Sequence, residues 1–362
     1  MKIMALHLPA FHRIPENDAW WGDGFTEWDN VRKGRPLFPG HVQPRTPLHG
    51  YYDLSSPQAV LKQAEYAQSK GIDGFIFYHY WFQGHQLFEK PVEEFLREQK
   101  PEGFTYCLNW ANETWARTWE GNEKDVLIRQ EYGDRRDWLD HISYLAEFFR
   151  DPHYLKKDGR PVLFLYSGMQ VPCLRKMVDV WNAYLEKIGL AHIYLIEALR
   201  PKNPDPTPEA DGVFEFEPMY SIRYDVGTLA LARRYLCKRL HLIDFEDYDK
   251  IWQRILKRKK SYGGLPVFSS AFVSWDNSPR KGKRGSIIVK NASPEKFGTD
   301  LYRLMRETRP GGANDLLIIN SWNEWGEGAN LEPSEEFGEA YLNALLSAKK
   351  RYLKECSGAV KF

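Results

Sequence analysis

Four cysteines in 362 residues, with no CxxC and no close pair, offer neither a disulfide frame nor a thiolate metal site. Cys107, Cys173, Cys237 and Cys356 are scattered and read as reduced thiols, the default for a cytosolic chain. Charge of one sign is also missing. The 50 basic and 49 acidic residues leave a net charge of +1, without the basic excess of nucleic-acid or anionic-membrane binders. No apolar run is long enough to cross a bilayer, so stable membrane insertion is excluded. The opening Met1-Lys-Ile-Met-Ala-Leu-His-Leu-Pro9 has neither an unbroken apolar core nor a small-residue cleavage site. It reads as a first strand, and a cytoplasmic location follows by elimination. A glycine-rich turn is absent after that strand. Leu8-Pro9-Ala10-Phe11-His12 could not cradle a phosphate closely, which weighs against an open dinucleotide-binding sheet.

What is abundant is aromatic: 15% of the chain, with 13 Trp and 20 Tyr. A core needs Phe and Leu more than Trp, whose indole N–H wants a partner when buried. The surplus suits a cleft with flat, amphipathic walls, the kind that sugar rings stack on. Short apolar runs alternate with helical patterns from end to end. The runs are Ile3–Leu8, Gly74–Tyr78, Phe104–Leu108, Val162–Tyr166, Ile193–Ile196, Val213–Phe216, Val267–Phe272 and Leu316–Asn320. Between them lie Pro57–Ser69, Pro91–Glu98, Asp137–Phe149, Leu174–Lys187, Gly227–Lys238, Tyr248–Arg258 and Pro294–Glu307, with Glu336–Lys350 last. Eight strands with helices between them predict an α/β fold, a closed (β/α)8 barrel, over residues 1–362 as one catalytic domain. Two irregularities stand out. Nearly fifty residues separate strand one from its helix, far more than such a loop needs, and Pro201–Glu209 between strands five and six is too proline-rich for a helix.

Barrel enzymes carry their chemistry at the C-terminal ends of the strands. The sharpest group there is Asn320-Ser-Trp-Asn-Glu-Trp-Gly-Glu-Gly328, which places Glu324 and Glu327 three positions apart among tryptophans and glycines. Glycosidic cleavage needs one carboxyl to protonate the leaving oxygen and another as base or nucleophile, and apolar surroundings keep the first one protonated. These two are the candidate catalytic residues. Candidate sugar-binding residues are Glu27 and Trp28 in the long first loop, then His79, Tyr80 and Trp81 after strand two. Strand three supplies Trp110, Asn112, Glu113, Trp115 and Arg117. Glu215, Trp275 and Asp276 follow strands six and seven, and Trp322 and Asn323 flank the carboxylates. His7, His12, His79 and His85 lack the tight spacing of zinc ligands, so no metal and no cofactor is expected.

The stretch from Trp322-Asn-Glu-Trp-Gly-Glu-Gly-Ala-Asn-Leu to Glu332-Pro resembles the strand-eight signature of glycoside hydrolase family 99, the endo-α-mannosidase barrels. The whole chain is still more similar to the WbsX-like proteins of bacterial surface-polysaccharide gene clusters. The matching motifs are Leu8-Pro-Ala-Phe-His12, Trp20-Trp21, Gly24-Phe-Thr-Glu-Trp28, Gly74-Phe-Ile-Phe-Tyr-His-Tyr-Trp81, Trp110-Ala-Asn-Glu-Thr-Trp115 and Trp275-Asp-Asn-Ser-Pro279. The resemblance implies a retaining endo-type glycosidase or transglycosidase acting on an oligo- or polysaccharide, with a mannoside-like α-linkage. It implies Glu324 as base on the sugar's 2-hydroxyl and Glu327 as the acid, through a 1,2-anhydro sugar.

Two rivals remain. A nucleotide-sugar glycosyltransferase of lipopolysaccharide or capsule synthesis often uses Asp-x-Asp, and Asp247-Tyr248-Asp249 fits the letters. That triplet opens a helix, where acidic residues are expected from the helix dipole alone. A carbohydrate-binding barrel without catalysis would not require both Glu324 and Glu327.

Overall fold

The computed structural model describes residues 1–117, 125–201, 203–259, 261–307 and 312–359. Eight parallel strands form a closed ring: β1 (Lys2–His7), β2 (Gly74–Phe82), β3 (Thr105–Trp110), β4 (Arg160–Leu165), β5 (Tyr194–Leu199), β6 (Gly212–Glu215), β7 (Val267–Phe272) and β8 (Gly312–Asn320). Each pairs with its neighbours in chain order, and β1 closes the ring by pairing with both β2 (Met4 opposite Gly74) and β8 (Lys2 opposite Leu316). All eight expected strands are present. β2 is buried along its whole length, as a strand must be when helices cover the outside and side chains fill the inside. Gly74 opens it because a Cβ there would lie 2.1 Å from the carbonyl oxygen of Thr105 on β3.

Two short helices, α1 (Pro15–Trp21) and α2 (Glu27–Arg32), fold the long first loop. Thr26 and Asp29 form a reciprocal capping box that starts α2 at Glu27. The outer layer follows with α3 (Pro57–Ser69), α4 (Lys90–Arg97), α5 (Arg135–Phe149) and α6 (Leu174–Lys187). After β6 come α7 (Met219–Arg223), α8 (Thr228–Arg239) and α9 (Tyr248–Lys257). After β7 come α10 (Ser278–Lys281) and α11 (Pro294–Arg306), and α12 (Ala340–Ala359) ends the chain. Side-chain caps set several starts: Asp134 for α5, Asp247 for α9 and Ser293 for α11. The last helix starts four residues later than its apolar pattern suggests and runs further. Ser334–Gly338 forms a bridged turn, with Gly338 at φ +52°.

Among the described residues no helix lies between β5 and β6. Buried Glu197 ties that link down instead, accepting hydrogen bonds from Asn203 Nδ2 (2.9 Å), Thr207 N (2.8 Å) and Thr207 Oγ1 (3.0 Å). A small parallel pair, Asp244–Asp247 with Ile287–Lys290, sits outside the ring and was not legible from periodicity. No helix among the described residues is long and apolar enough to cross a membrane.

Candidate active site

The ends of the strands surround a cavity of about 470 Å³, within the size range of small-ligand sites. Glu324 and Glu327 both line it. A short antiparallel pair, Asn323–Glu324 with Ala329–Asn330, folds the motif back on itself. Glu324 N donates to Ser321 Oγ (2.8 Å), and Asp276 N donates to the carbonyl of Glu327 (2.7 Å). Behind the turn, Asn323 bridges to β1: its Oδ1 accepts from Leu8 N (2.7 Å) and its Nδ2 donates to Leu8 O (2.9 Å). Half-buried Glu332 anchors the far side, accepting from Trp325 Nε1 (2.7 Å), Tyr52 Oη (2.7 Å) and Gln63 Nε2 (2.9 Å). Burial lifts the Glu332 carboxyl to about 7 despite these donors.

Arg280 on α10 organises the cavity. Its Nε and Nη2 reach Glu27 Oε1 (2.8 and 2.6 Å), its Nη1 reaches Glu327 Oε1 (2.9 Å), and Nη2 also contacts Glu324 Oε2 (3.3 Å). Asn30 Nδ2 takes the other oxygen of Glu27 at 3.0 Å. One guanidinium therefore serves three carboxyls, those of buried Glu27 and Glu324 and of half-buried Glu327. Desolvation raises the pKa of both Glu324 and Glu327, mutual repulsion adds to the rise of Glu324, and Arg280 opposes both. Burial lifts the Glu324 carboxyl to about 8, so the Glu324–Glu327 pair retains a proton near neutral pH, the condition for acid–base work. Gly326 is required here for room. A Cβ at that position would lie 2.3 Å from Glu27 Oε1 and 2.7 Å from Arg280 Nε.

Of the residues expected to bind sugar, Glu27, Tyr80, Glu113, Trp115 and Trp275 line the cavity. Glu113 is held by Arg200 at 2.9 Å, and that guanidinium lies 3.8 Å from the Tyr166 ring centroid. Trp115 meets Tyr80 edge-on at 5.0 Å.

The structure takes the others elsewhere. His79 and Trp81 alternate with Tyr78 and Tyr80 along β2 and so point away, onto His141 of α5 at 2.9 Å and a stacked 4.5 Å respectively. Trp110 packs outward on Trp181 and His141. Trp28 is buried beneath the first loop, its Nε1 donating to Tyr52 O (2.7 Å) and its ring on Phe11. Asn112 ties β3 to β4, donating to Ser167 O and accepting from Ser167 N, both at 2.9 Å. Glu215 is turned to Tyr262 and Arg258. Asp276 accepts from Gln43 Nε2 (2.6 Å) and bonds His41 Nε2 (2.8 Å). Trp322 packs on Phe75, and Asn323 is the β1 bridge described above. Arg117 lies outside the lining but stacks on Trp21, which is part of the wall, and donates to Trp20 O.

Periodicity alone missed Tyr78, Tyr166, Arg280 and Arg200. Arg280 stands one residue beyond the Trp275–Pro279 motif, a strand-seven continuation that could have flagged it. Asp247 caps α9 through Lys250 N and Asp249 pairs with Lys296 at 2.7 Å, and neither lines the cavity.

Fold comparison finds a family 99 endo-α-mannosidase from Bacteroides thetaiotaomicron at TM-score 0.57 and 14% identity, covering 98% of both chains. A glycoside hydrolase-like protein superposes at TM-score 0.58 and 15% identity, covering 96% of this chain and 93% of its own. At such identities the likeness concerns the fold. The WxcX proteins of two strains of Xanthomonas campestris pv. campestris are 37% identical over 355 residues, 96% of this chain. The chain spans about half the length of these relatives. Residues 3–345 match the family described as glycosyltransferase WbsX, and the chain belongs to that family.

Proposed function

We propose that the chain is a carbohydrate-active barrel that cleaves or transfers an α-linked sugar within a surface polysaccharide. The observation that carries this reading is the Glu324–Glu327 turn in the cavity wall, with both carboxyls raised and clamped by Arg280. The roles follow the family 99 resemblance. Glu324 takes the proton of the sugar's 2-hydroxyl as that oxygen bonds to the anomeric carbon. Glu327 gives its proton to the glycosidic oxygen as the old C–O bond breaks. Water or a second sugar hydroxyl then opens the 1,2-anhydro ring, with Glu327 accepting its proton and Glu324 returning the first one. The configuration is retained after two inversions.

The burial of the two carboxyls favours the opposite distribution of the proton. Glu324 is the more buried of the two, with 9% side-chain exposure against 25% for Glu327, so the shared proton favours Glu324 before substrate arrives. A 2-hydroxyl donating to Glu324 stabilises its anion, which leaves the proton for Glu327.

A second reading, transfer from a nucleotide sugar, draws on a different observation. Arg223 and Lys281 line the same cavity without an ion pair within 4.0 Å among the described residues, and a diphosphate would match them. The test is incubation with the host's surface polysaccharide, with and without nucleotide sugars, using wild type, Glu324→Gln and Glu327→Gln. Fragment release without a donor, lost in both variants, supports the glycosidase. Acceptor growth only with a nucleotide sugar supports the transferase.

A further inference from the structure

Helix α8 is built inside out. None of its residues is buried, and it is held to the barrel by ion pairs. Arg234, with a side chain 13% exposed, reaches Asp244 at 2.7 Å and also contacts Glu246. The leucines face outward: Leu229 is 87% exposed, Leu236 52% and Leu240 60%. Positions 229, 236 and 240 fall on one stripe of a 3.6-residue helix, which Arg233 and Arg239 flank on its two sides. An amphipathic helix normally turns its apolar stripe to the core; this one turns it to solvent.

The stretch 228–242 carries Arg233, Arg234, Lys238 and Arg239 and no acidic residue. Arg233, like Arg234, is paired with Asp244 and Glu246, so the charge on this face without an ion pair among the described residues begins with Arg239. The loop after α10 extends it. A Cβ added at Gly285 would lie 3.5 Å from the Cα of Lys238, which places this loop beside α8, and the exposed Lys283 and Arg284 precede it. Neither of those two, nor Arg239, has an ion-pair partner within 4.0 Å among the described residues. We propose that α8 and the 282–285 loop seat the protein on an anionic lipid surface, the leucine stripe entering the headgroup boundary and the cations meeting lipid phosphates. A second copy of the chain fits poorly, because a two-fold contact would bring the Arg239, Lys283 and Arg284 face against its own like charge. Helix α10, which leads directly into this loop, carries Arg280 and Lys281 to the cavity, so the docked face lies beside the cavity mouth.

The test is flotation with vesicles of phosphatidylglycerol and phosphatidylcholine in equal parts, against vesicles of phosphatidylcholine alone. Wild type is expected to float with the anionic vesicles only, and less as salt rises. Leu236→Glu and Leu240→Glu are expected to stay at the bottom. Arg239→Ala and Lys283→Ala should each weaken binding about fivefold, the equivalent of about 1 kcal/mol per charge at a membrane surface. Leu229→Glu provides a variant with little packing to lose, should the other two misfold. Absence of flotation, equal flotation with both vesicles, or a dimer in solution that Leu229→Glu dissociates would overturn the proposal.

Discussion

Replacing Arg280 with Met removes the only cation bonded to Glu27, Glu324 and Glu327 among the described residues while keeping most of the side-chain volume. Deleting one partner of a buried ion pair costs about 3–5 kcal/mol, because the charge left behind is neither solvated nor compensated. Unfolding entropy of about 2.1 cal/mol/K per residue over 362 residues makes the denaturation slope about 0.76 kcal/mol per kelvin. The expected drop in Tm is therefore about 4–7 °C near neutral pH. The sign of its pH dependence follows from burial. Glu324 and Glu327 already have raised folded-state values, and without Arg280 they rise further. The folded protein then keeps protons that the unfolded chain releases. Stability is full below the unfolded carboxylate range near about 4.3 and falls as pH climbs through the folded values. The Tm deficit of Arg280→Met should accordingly be small near about pH 5 and largest near about pH 8. Adding Glu27→Gln removes one of the stranded charges and should return part of the loss, with a coupling of about 1–3 kcal/mol in a double-mutant cycle. Scanning calorimetry of the three variants at the two pH values reads all of this. An equal deficit at both pH values, or no recovery in the double variant, would refute the clamp.

Trp28→Ala should behave as a core cavity mutation, losing about 3–5 kcal/mol in urea unfolding while KM stays near wild type, since Trp28 is buried under the first loop and does not line the cavity. A KM rise with unchanged stability would return it to the site. Activity on polysaccharide should survive EDTA, because proton donation from the carboxyl pair stabilises the leaving oxygen. Its pH–rate profile should be bell-shaped, with the acidic limb above the ordinary carboxylate range because burial raises both groups. Complete loss with chelator that added metal restores would move the chemistry to the transferase.

The barrel was legible because each strand is a short apolar run whose neighbours in sequence are its neighbours in space. The place of Glu324 and Glu327 in the cavity wall was legible because a strand end delivering two carboxylates among tryptophans is rare in a plain core. What escaped was direction. At strand ends successive side chains alternate between cavity and helix layer, so Tyr80 and His79 are one residue apart and on opposite sides. Trp275 and Asp276 divide in the same way, the first lining the cavity and the second turned to His41 and Gln43. Naming a whole motif therefore captures both the wall and its backing. Arg280 escaped for another reason: its role depends on Glu27, 253 positions away in the chain.

Gly326 sits where the guanidinium of Arg280 and the carboxylate of Glu27 press against the backbone of the Glu324–Glu327 turn. A methyl group there could be admitted only if that ion pair retreated or disappeared. The three positions thus form one unit of inheritance spread over three loops. Among descendants of a common ancestor, a larger residue at 326 should accompany loss of charge at 27 or 280, and lineages that keep the pair should keep the glycine. A barrel that exchanged this turn for a bulkier one would need a new way of holding Glu324 and Glu327 beside a compensating cation.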